Sequence, residues 1–519
     1  MTTAEKIIAK KTYLGIEFGS TRIKACLIDD SFAPVADGSH SWENRLEKGV
    51  WTYSGEDILT GLRECYADLK RNVKEKYGVT LTGFLGMGIS AMMHGYLAFD
   101  DNYELLVPFR TWRNTMTAQA ADKLTELFGF NIPQRWSIAH LYQAILNGEE
   151  HVGRIAHITT LAGYVHYLLT GENVLGVGDA SGMFPVENGE RYNEKMIGQF
   201  MELDEVKPSG IKLGSVLPEI AAAGEKCGEL TKRGAELLDP EGDLEAGVPF
   251  CPPEGDAGTG MTATNAVRKG TGNVSAGTSI FSMLVLEQPL KGCYPEIDVV
   301  TTPDGADVAM VHCNNCCGEL DAWVKLFGEF SELMGARADI SDIYRKLYTN
   351  ALSGSPDCGG VVAYNLISGE PVVGVERGRP AYVRTPDSDM SLANFIRAQL
   401  YGAMAALKAG NDILFEKEGV SPGSFTGHGG LFKVKGAAQQ MLADALGSEV
   451  SVMSTAGEGG AWGMALLAAY MDGNALSLAD WLDSKVFAGM EKSTLKPQQS
   501  GVEGWKAYMN NYFEDLVRS

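Results

Sequence analysis

Two stretches of this chain repeat one pattern, and that repeat limits the available architectures more than any other feature. Each is an apolar strand, a turn of glycine with serine and threonine, and a second apolar strand: "YLGIEFGSTRIKACLID" at 13–29 and "NVSAGTSIFSMLVLE" at 273–287. In the first, Leu14, Ile16 and Phe18 alternate with Gly15 and Glu17, and Ile23, Ala25 and Leu27 resume the alternation after Gly19, Ser20 and Thr21. A period of two is that of a strand, so the stretch reads as a hairpin. The second has its turn at Gly277, Thr278 and Ser279. Two hairpins of one design, roughly 260 residues apart, point to an internal duplication. At 519 residues the chain exceeds what one core supports. Two α/β domains are expected, 1–262 and 263–519.

Glu17 stands inside the first apolar strand, where an unpaired carboxylate costs several kcal/mol. It is therefore either used, as a metal ligand beside a phosphate, or paired, with Lys24 or Arg22 across the hairpin. The turns suit phosphate, because small residues let successive N–H groups converge and hydroxyls add donors. A net charge of −22 repels polyphosphate backbones and anionic surfaces. Neither nucleic acid nor membrane is expected as a partner, and a small anion would be held locally, by N–H groups and a divalent cation. No segment offers the apolar length of a membrane span, and "MTTAEKIIAKK" has no apolar core of a secretory signal. Nine cysteines without such a signal suit reduced thiols, so the cytoplasm is the expected compartment.

Further elements follow from spacing. Leu85, Met87 and Ile89 read as a strand ending in a loop that carries Met93, His94 and Gly95. Ala118, Ala121, Leu124 and Leu127 before Gly129 read as a helix, as do Ile396, Leu400, Met404 and Leu407. Glycines 427, 429 and 430 precede another helix, and "GEGGAWGMALLA" opens the last. Asp256 lies in "PPEGDAGTG", a loop expected to be too glycine-rich for a helix. It could accept a proton and bind metal, or cap a helix starting near Thr262. Asp179 in "GVGDASGMF" reads as a turn or cap residue. Cys313, Cys316 and Cys317 in "HCNNCCGELDAW" form half a zinc pattern without its second half, so thiols packed at a helix start are expected. His94 is either an ordinary loop histidine or a polar contact for a sugar hydroxyl.

These motifs, in this order, resemble the FGGY carbohydrate kinases over nearly the whole chain: "GIEFGSTRIKACLID", "MHGYLAFDD", the "GD" of "PEGDAGTG", the "GTS" turn and "GHGG…QMLADALG…GEGGAWGMALLA". The resemblance implies two actin-like (hexokinase-type, ribonuclease H-like) α/β domains with a cleft between them, and a kinase using ATP and Mg²⁺. It makes Asp256 the catalytic base. Glu17 and Asp256 would hold the metal. Gly19, Ser20, Thr21 and Arg22 would meet the phosphates from the first domain, and Gly277, Thr278 and Ser279 from the second. Gly429 and Gly430 would lie against the adenosine, with Glu458 to Ala461 nearby, Gly459 and Gly460 among the ATP-binding residues. Met93, His94 and Gly95 match the loop of xylulokinase-like members, and Trp112, Arg113 and Asn114 stand where such members contact sugar. The family usually has Asp at Glu17 and an acid at Asn114, and Ala257 after Asp256 is closer to ribulokinase-like members. The implied substrate is a small sugar, foremost a ketopentose such as xylulose or ribulose, with another polyol, a hexulose or a sugar acid as alternatives. The rival readings are an actin-like ATPase acting on a protein partner and a sugar-binding regulator with a dead site. The implied partners are the sugar and ATP, and a homodimer stays open.

Overall fold

The computed structural model describes residues 1–421, 423–453, 459–473 and 475–516. Each hairpin is the centre of a sheet. Tyr13–Phe18 and Arg22–Ile28 pair antiparallel, and Pro34–Ser41 continues the meander. On the other side, Gly86–Ala91 runs parallel to the first strand and Glu254–Gly255 parallel to that one. The second sheet repeats the design. Thr271–Ala276 is antiparallel to Ile280–Val285, beside which lies Asp307–Cys313. Ser424–His428 and Glu449–Met453 follow in parallel on the other side. Numbered by appearance, both sets of five strands have the order 3-2-1-4-5, and Asp298–Thr301 and Lys492–Leu495 extend the second sheet at its edges. Both sheets are mixed.

The chain divides into two compact units. The first holds 1–267, 299–308 and 458–488, and the second 268–298, 309–457 and 489–519. The first unit thus takes two stretches from beyond the expected cut near residue 262. In it, helix Gly55–Tyr77 buries Ile58, Leu62, Cys65, Tyr66, Leu69 and Val73 at three- and four-residue spacing. It starts with a Ser54/Asp57 capping box and ends at left-handed Gly78. The helix Gly459–Tyr470 is buried on every side from Gly460 onward and lies against Gly15, where a Cβ would come 2.2 Å from the Ala461 carbonyl oxygen. In the second unit, Ile396, Leu400, Met404 and Leu407 are all buried on helix Leu392–Asp412, as the spacing predicts.

Three local expectations are corrected. Leu85 lies just outside the strand, which starts at Gly86, and is 43% exposed. On helix Ala118–Phe128 the buried stripe is Ala120, Ala121 and Leu124, while Ala118 faces solvent. "DAGTGMTA" is helical from Asp256 to Ala263, so no helix starts near Thr262 for Asp256 to cap from a loop. Tertiary packing overrides glycine's weak propensity there: the helix Gly459–Tyr470 packs closely against this one through its own Gly463, where a Cβ would stand 2.0 Å from the Thr259 carbonyl oxygen. All nine cysteines are free thiols, Cys313 and Cys316 are buried in the second unit's core, and among the described residues no three His, Cys, Asp or Glu converge as a metal site. Among those residues, no helix is long and apolar enough to cross a membrane.

Candidate active site

Glu17 has a concrete reason to sit in its strand. Its carboxylate accepts the backbone N–H groups of Gly460 and Ala461, in the first turn of helix Gly459–Tyr470. Those amides have no partner within the helix, and a negative charge there is favoured by the helix dipole. A Cβ on Gly460 would stand 2.3 Å from Glu17 Oε1, so the carboxylate reaches the amides only because residue 460 is glycine. Lys24 is directly opposite Glu17 in the hairpin ladder. Burial and then the charge of Asp256 push the Glu17 carboxyl up to about 7, against the pull of Lys24 and the two N–H groups. Gly459 and Gly460, expected beside adenosine, thus stand with Glu17 in the first unit. Glu458 lies outside the described residues.

Asp256 is the first residue of its helix, directly after the short strand Glu254–Gly255. It is accessible to solvent. Its Oδ1 accepts the Met93 N–H at 3.3 Å, and the N–H groups of Ala257 and of Asp256 itself also stabilise its charge. Desolvation by the surrounding protein outweighs them and pushes its carboxyl up to about 6. Two further acids, which their sequence context does not reveal, stand behind it. Asp179 is 1% exposed, accepts the Thr160 hydroxyl at 2.6 Å through Oδ2, and has no partner at Oδ1. Burial and the Asp256 charge push it to about 7. Glu254 is also 1% exposed and accepts the N–H groups of Gly178 and Gly255. Burial and the Asp179 charge push it to about 8. A Cβ at Gly176 would fall 2.2 Å from its Oε1, so "GVG" leaves the room that Glu254 fills. Glu17, Asp256, Asp179 and Glu254 form an electrostatically linked chain of carboxyls, each held above its ordinary range.

The Met93–Gly95 loop is tied to this group. His94 takes a positive φ of 68°, its Nδ1 lies 3.0 Å from the Gly182 carbonyl oxygen, and its ring stacks on Trp136. Gly95 has φ 85°, and a Cβ there would meet the Arg110 carbonyl oxygen at 2.7 Å. Asn114 is only 3% exposed. Its Nδ2 donates to the carbonyls of Trp51 and Thr111, and its Oδ1 accepts the Trp51 N–H, each at 2.9 Å. Both of its donors are spent on backbone. An aspartate could not make those two bonds, which explains an amide at this position. Arg113 is exposed and stacks over the Trp51 ring at 3.9 Å, and Trp112 is packed against the core.

The Gly19–Arg22 turn is closed by Gly19 N–H donating to the Arg22 carbonyl. Trp42 Nε1 donates to the Gly19 carbonyl and the Tyr53 hydroxyl to that of Ser20, which fixes the turn from its carbonyl side. Ser20, Thr21 and Arg22 face solvent. In the second unit, Gly277 N–H donates to the Ser279 carbonyl, Cys317 N–H donates to that of Gly277, and Gly277 and Thr278 are exposed. Gly429 has φ 100°, and a Cβ there would lie 2.3 Å from the Ala276 carbonyl oxygen; Gly430 faces open space.

The chain matches the N-terminal domain of the FGGY family of carbohydrate kinases over residues 12–261 and the C-terminal domain over residues 272–471. It is 25% identical to a xylulose kinase of Haemophilus influenzae over 97% of this chain and 99% of that protein. Among solved structures it is similar to ligand-bound xylulose kinase from Lactobacillus acidophilus, with TM-score 0.78, 16% identity and 97% of both chains covered. It is also similar to Plasmodium falciparum glycerol kinase with ADP, with TM-score 0.76, 17% identity, and 98% of this chain and 99% of that one covered. These two likenesses show the fold, two actin-like α/β domains on mixed sheets. With both of its domains matched in order, the chain belongs to the FGGY family of carbohydrate kinases.

Proposed function

We propose that this chain transfers the γ-phosphate of ATP to a primary hydroxyl of a ketopentose such as xylulose or ribulose. That it is an ATP-dependent sugar kinase follows from its family; the sugar and the residue roles are the proposal. The observation that carries it is the hydrogen bond from Met93 N–H to Asp256 Oδ1, which joins the xylulokinase-like loop to the acid suited to act as base. The H. influenzae relative named as a xylulose kinase supports the same sugar class.

Asp256 would accept the hydroxyl proton as the sugar oxygen bonds to the γ-phosphorus. The bond from that phosphorus to the bridging β-oxygen breaks, and ADP leaves. Gly19, Ser20, Thr21 and Arg22 would receive phosphate oxygens in the first unit, and Gly277, Thr278 and Ser279 in the second. Gly429, Gly430, Gly459 and Gly460 stay proposed for the nucleotide. Met93, His94, Gly95, Trp112 and Arg113 would line the sugar, with Asn114 acting through the backbone it pins. Glu17 and Asp256 would hold Mg²⁺. The fit is that of hard oxygen donors, and two carboxylates suffice where phosphate oxygens and water complete six-coordination. The bound ion would offset phosphate charge.

The direct test is ADP release at fixed ATP across pentuloses, hexuloses, polyols and sugar acids. A ketopentose should raise turnover well above the rate with water. ATP turnover indifferent to every sugar would instead favour an ATPase acting on a protein partner. The pH dependence has a definite sign. A base held at about 6 must be ionised to work, so kcat/KM for the sugar should rise with pH across about 6 and level off above about 7. A profile flat from pH 5 to 8 would remove Asp256 from that role.

A further inference from the structure

His428 ends strand Ser424–His428, in parallel register with Ser275 of the neighbouring strand Thr271–Ala276. One residue beyond that neighbour strand is the Gly277–Ser279 turn, and Gly429 runs against Ala276 at its base. The imidazole is half-buried and unevenly so. Its Nε2 is sealed from solvent and has no hydrogen-bond partner. Burial holds the ring neutral by pushing its pKa down to about 4. A neutral imidazole carries one N–H. The sealed Nε2 stays unpaired in either tautomer. A phosphate oxygen only accepts, so it selects the tautomer with the proton on Nδ1, and His428 then stands as a donor at the carboxyl end of a parallel strand pair, where open α/β sheets bind their ligands.

We propose that His428 is a nucleotide-specificity residue whose Nδ1–H donates to a phosphate oxygen of ATP lying on the Gly277–Ser279 turn. This rests on the sugar-kinase reading in which that turn faces the phosphates. A donor without charge adds a hydrogen bond to an anion while leaving the chain's acidic balance untouched. It discriminates nucleotides by their phosphates and ignores the base.

Calorimetric titration of the full chain with ATP, ADP and adenosine, in the absence of sugar, tests this. His428→Leu should weaken ATP and ADP about tenfold or more, the range of one charge-assisted bond, and leave adenosine within twofold. His428→Asn, which keeps an N–H near the Nδ1 position, should recover most of the loss. Nitrogen-15 spectra of the wild type with ADP bound should show His428 protonated on Nδ1. Unchanged ATP affinity in His428→Leu, equal losses for ATP and adenosine, or a proton found on Nε2 in that complex would each overturn the assignment while leaving the kinase reading standing. A wild-type chain that binds no ATP would overturn both.

Discussion

Asp256→Asn should lower kcat about a thousandfold while the dissociation constant for ATP titrated without added Mg²⁺ moves by less than about twofold. The substitution is nearly isosteric, and an amide Oδ1 still accepts the Met93 N–H, so the loop that carries His94 stays attached to the helix start. What disappears is a group able to take the proton as the sugar oxygen attacks, a loss felt only in the transition state. A second consequence follows from the linked carboxyls. The Asp256 charge helps to hold Glu17 and Asp179 above their ordinary range, so in the variant both should titrate lower. Single-turnover kinetics with calorimetry for ATP separates these effects. If binding and turnover fall by the same factor, Asp256 anchors the nucleotide and is not the base.

The parts of this site legible in the sequence are those written in adjacent residues. Alternation with a Gly-Ser/Thr turn located both hairpins, because strand period and turn chemistry are local properties. The partners that give the acids their meaning are not local. Glu17 meets Gly460 and Ala461 from the far end of the chain, so a helix N-terminus could not be anticipated beside Lys24 and Arg22. Asp179 looks like a turn residue until the Thr160 hydroxyl is seen to donate to it and its charge to act on Glu254, and Glu254 is screened by the prolines and glycines around it in the sequence. Asn114 departs from an expected acid because of Trp51, whose backbone needs an amide's donors. The glycines of "DAGTG" were the most misleading signal. They suggest a loop by propensity, whereas Gly258 and Gly260 sit in a helix whose neighbour packs too closely to be inferred from either segment alone.

That packing supplies the second large effect. Gly463→Ala should destabilise the first unit by about 3 kcal/mol, toward the upper end for overpacking, whereas Gly260→Ala should be neutral or stabilise by up to about 1 kcal/mol. Propensity alone gives both substitutions the same favourable sign, because each replaces glycine inside a helix. Contact separates them. A Cβ at 463 would lie 2.0 Å from the Thr259 carbonyl oxygen and 2.8 Å from its carbon, both backbone atoms that cannot rotate away, while a Cβ at 260 meets nothing. Relief at 463 requires the two helices to separate. That movement reaches the site, because the Thr259 hydroxyl donates to the carbonyls of Gly255 and Asp256 and contacts the Ser90 hydroxyl at 3.0 Å. Turnover should therefore fall with stability in Gly463→Ala. Scanning calorimetry should show a melting temperature lower by roughly 6–12 °C for an effect of this size. A Gly463→Ala protein melting within about 1 °C of the wild type would mean that the helices do not touch at this crossing, and that Asp256 is positioned by its own strand and the Met93 amide alone.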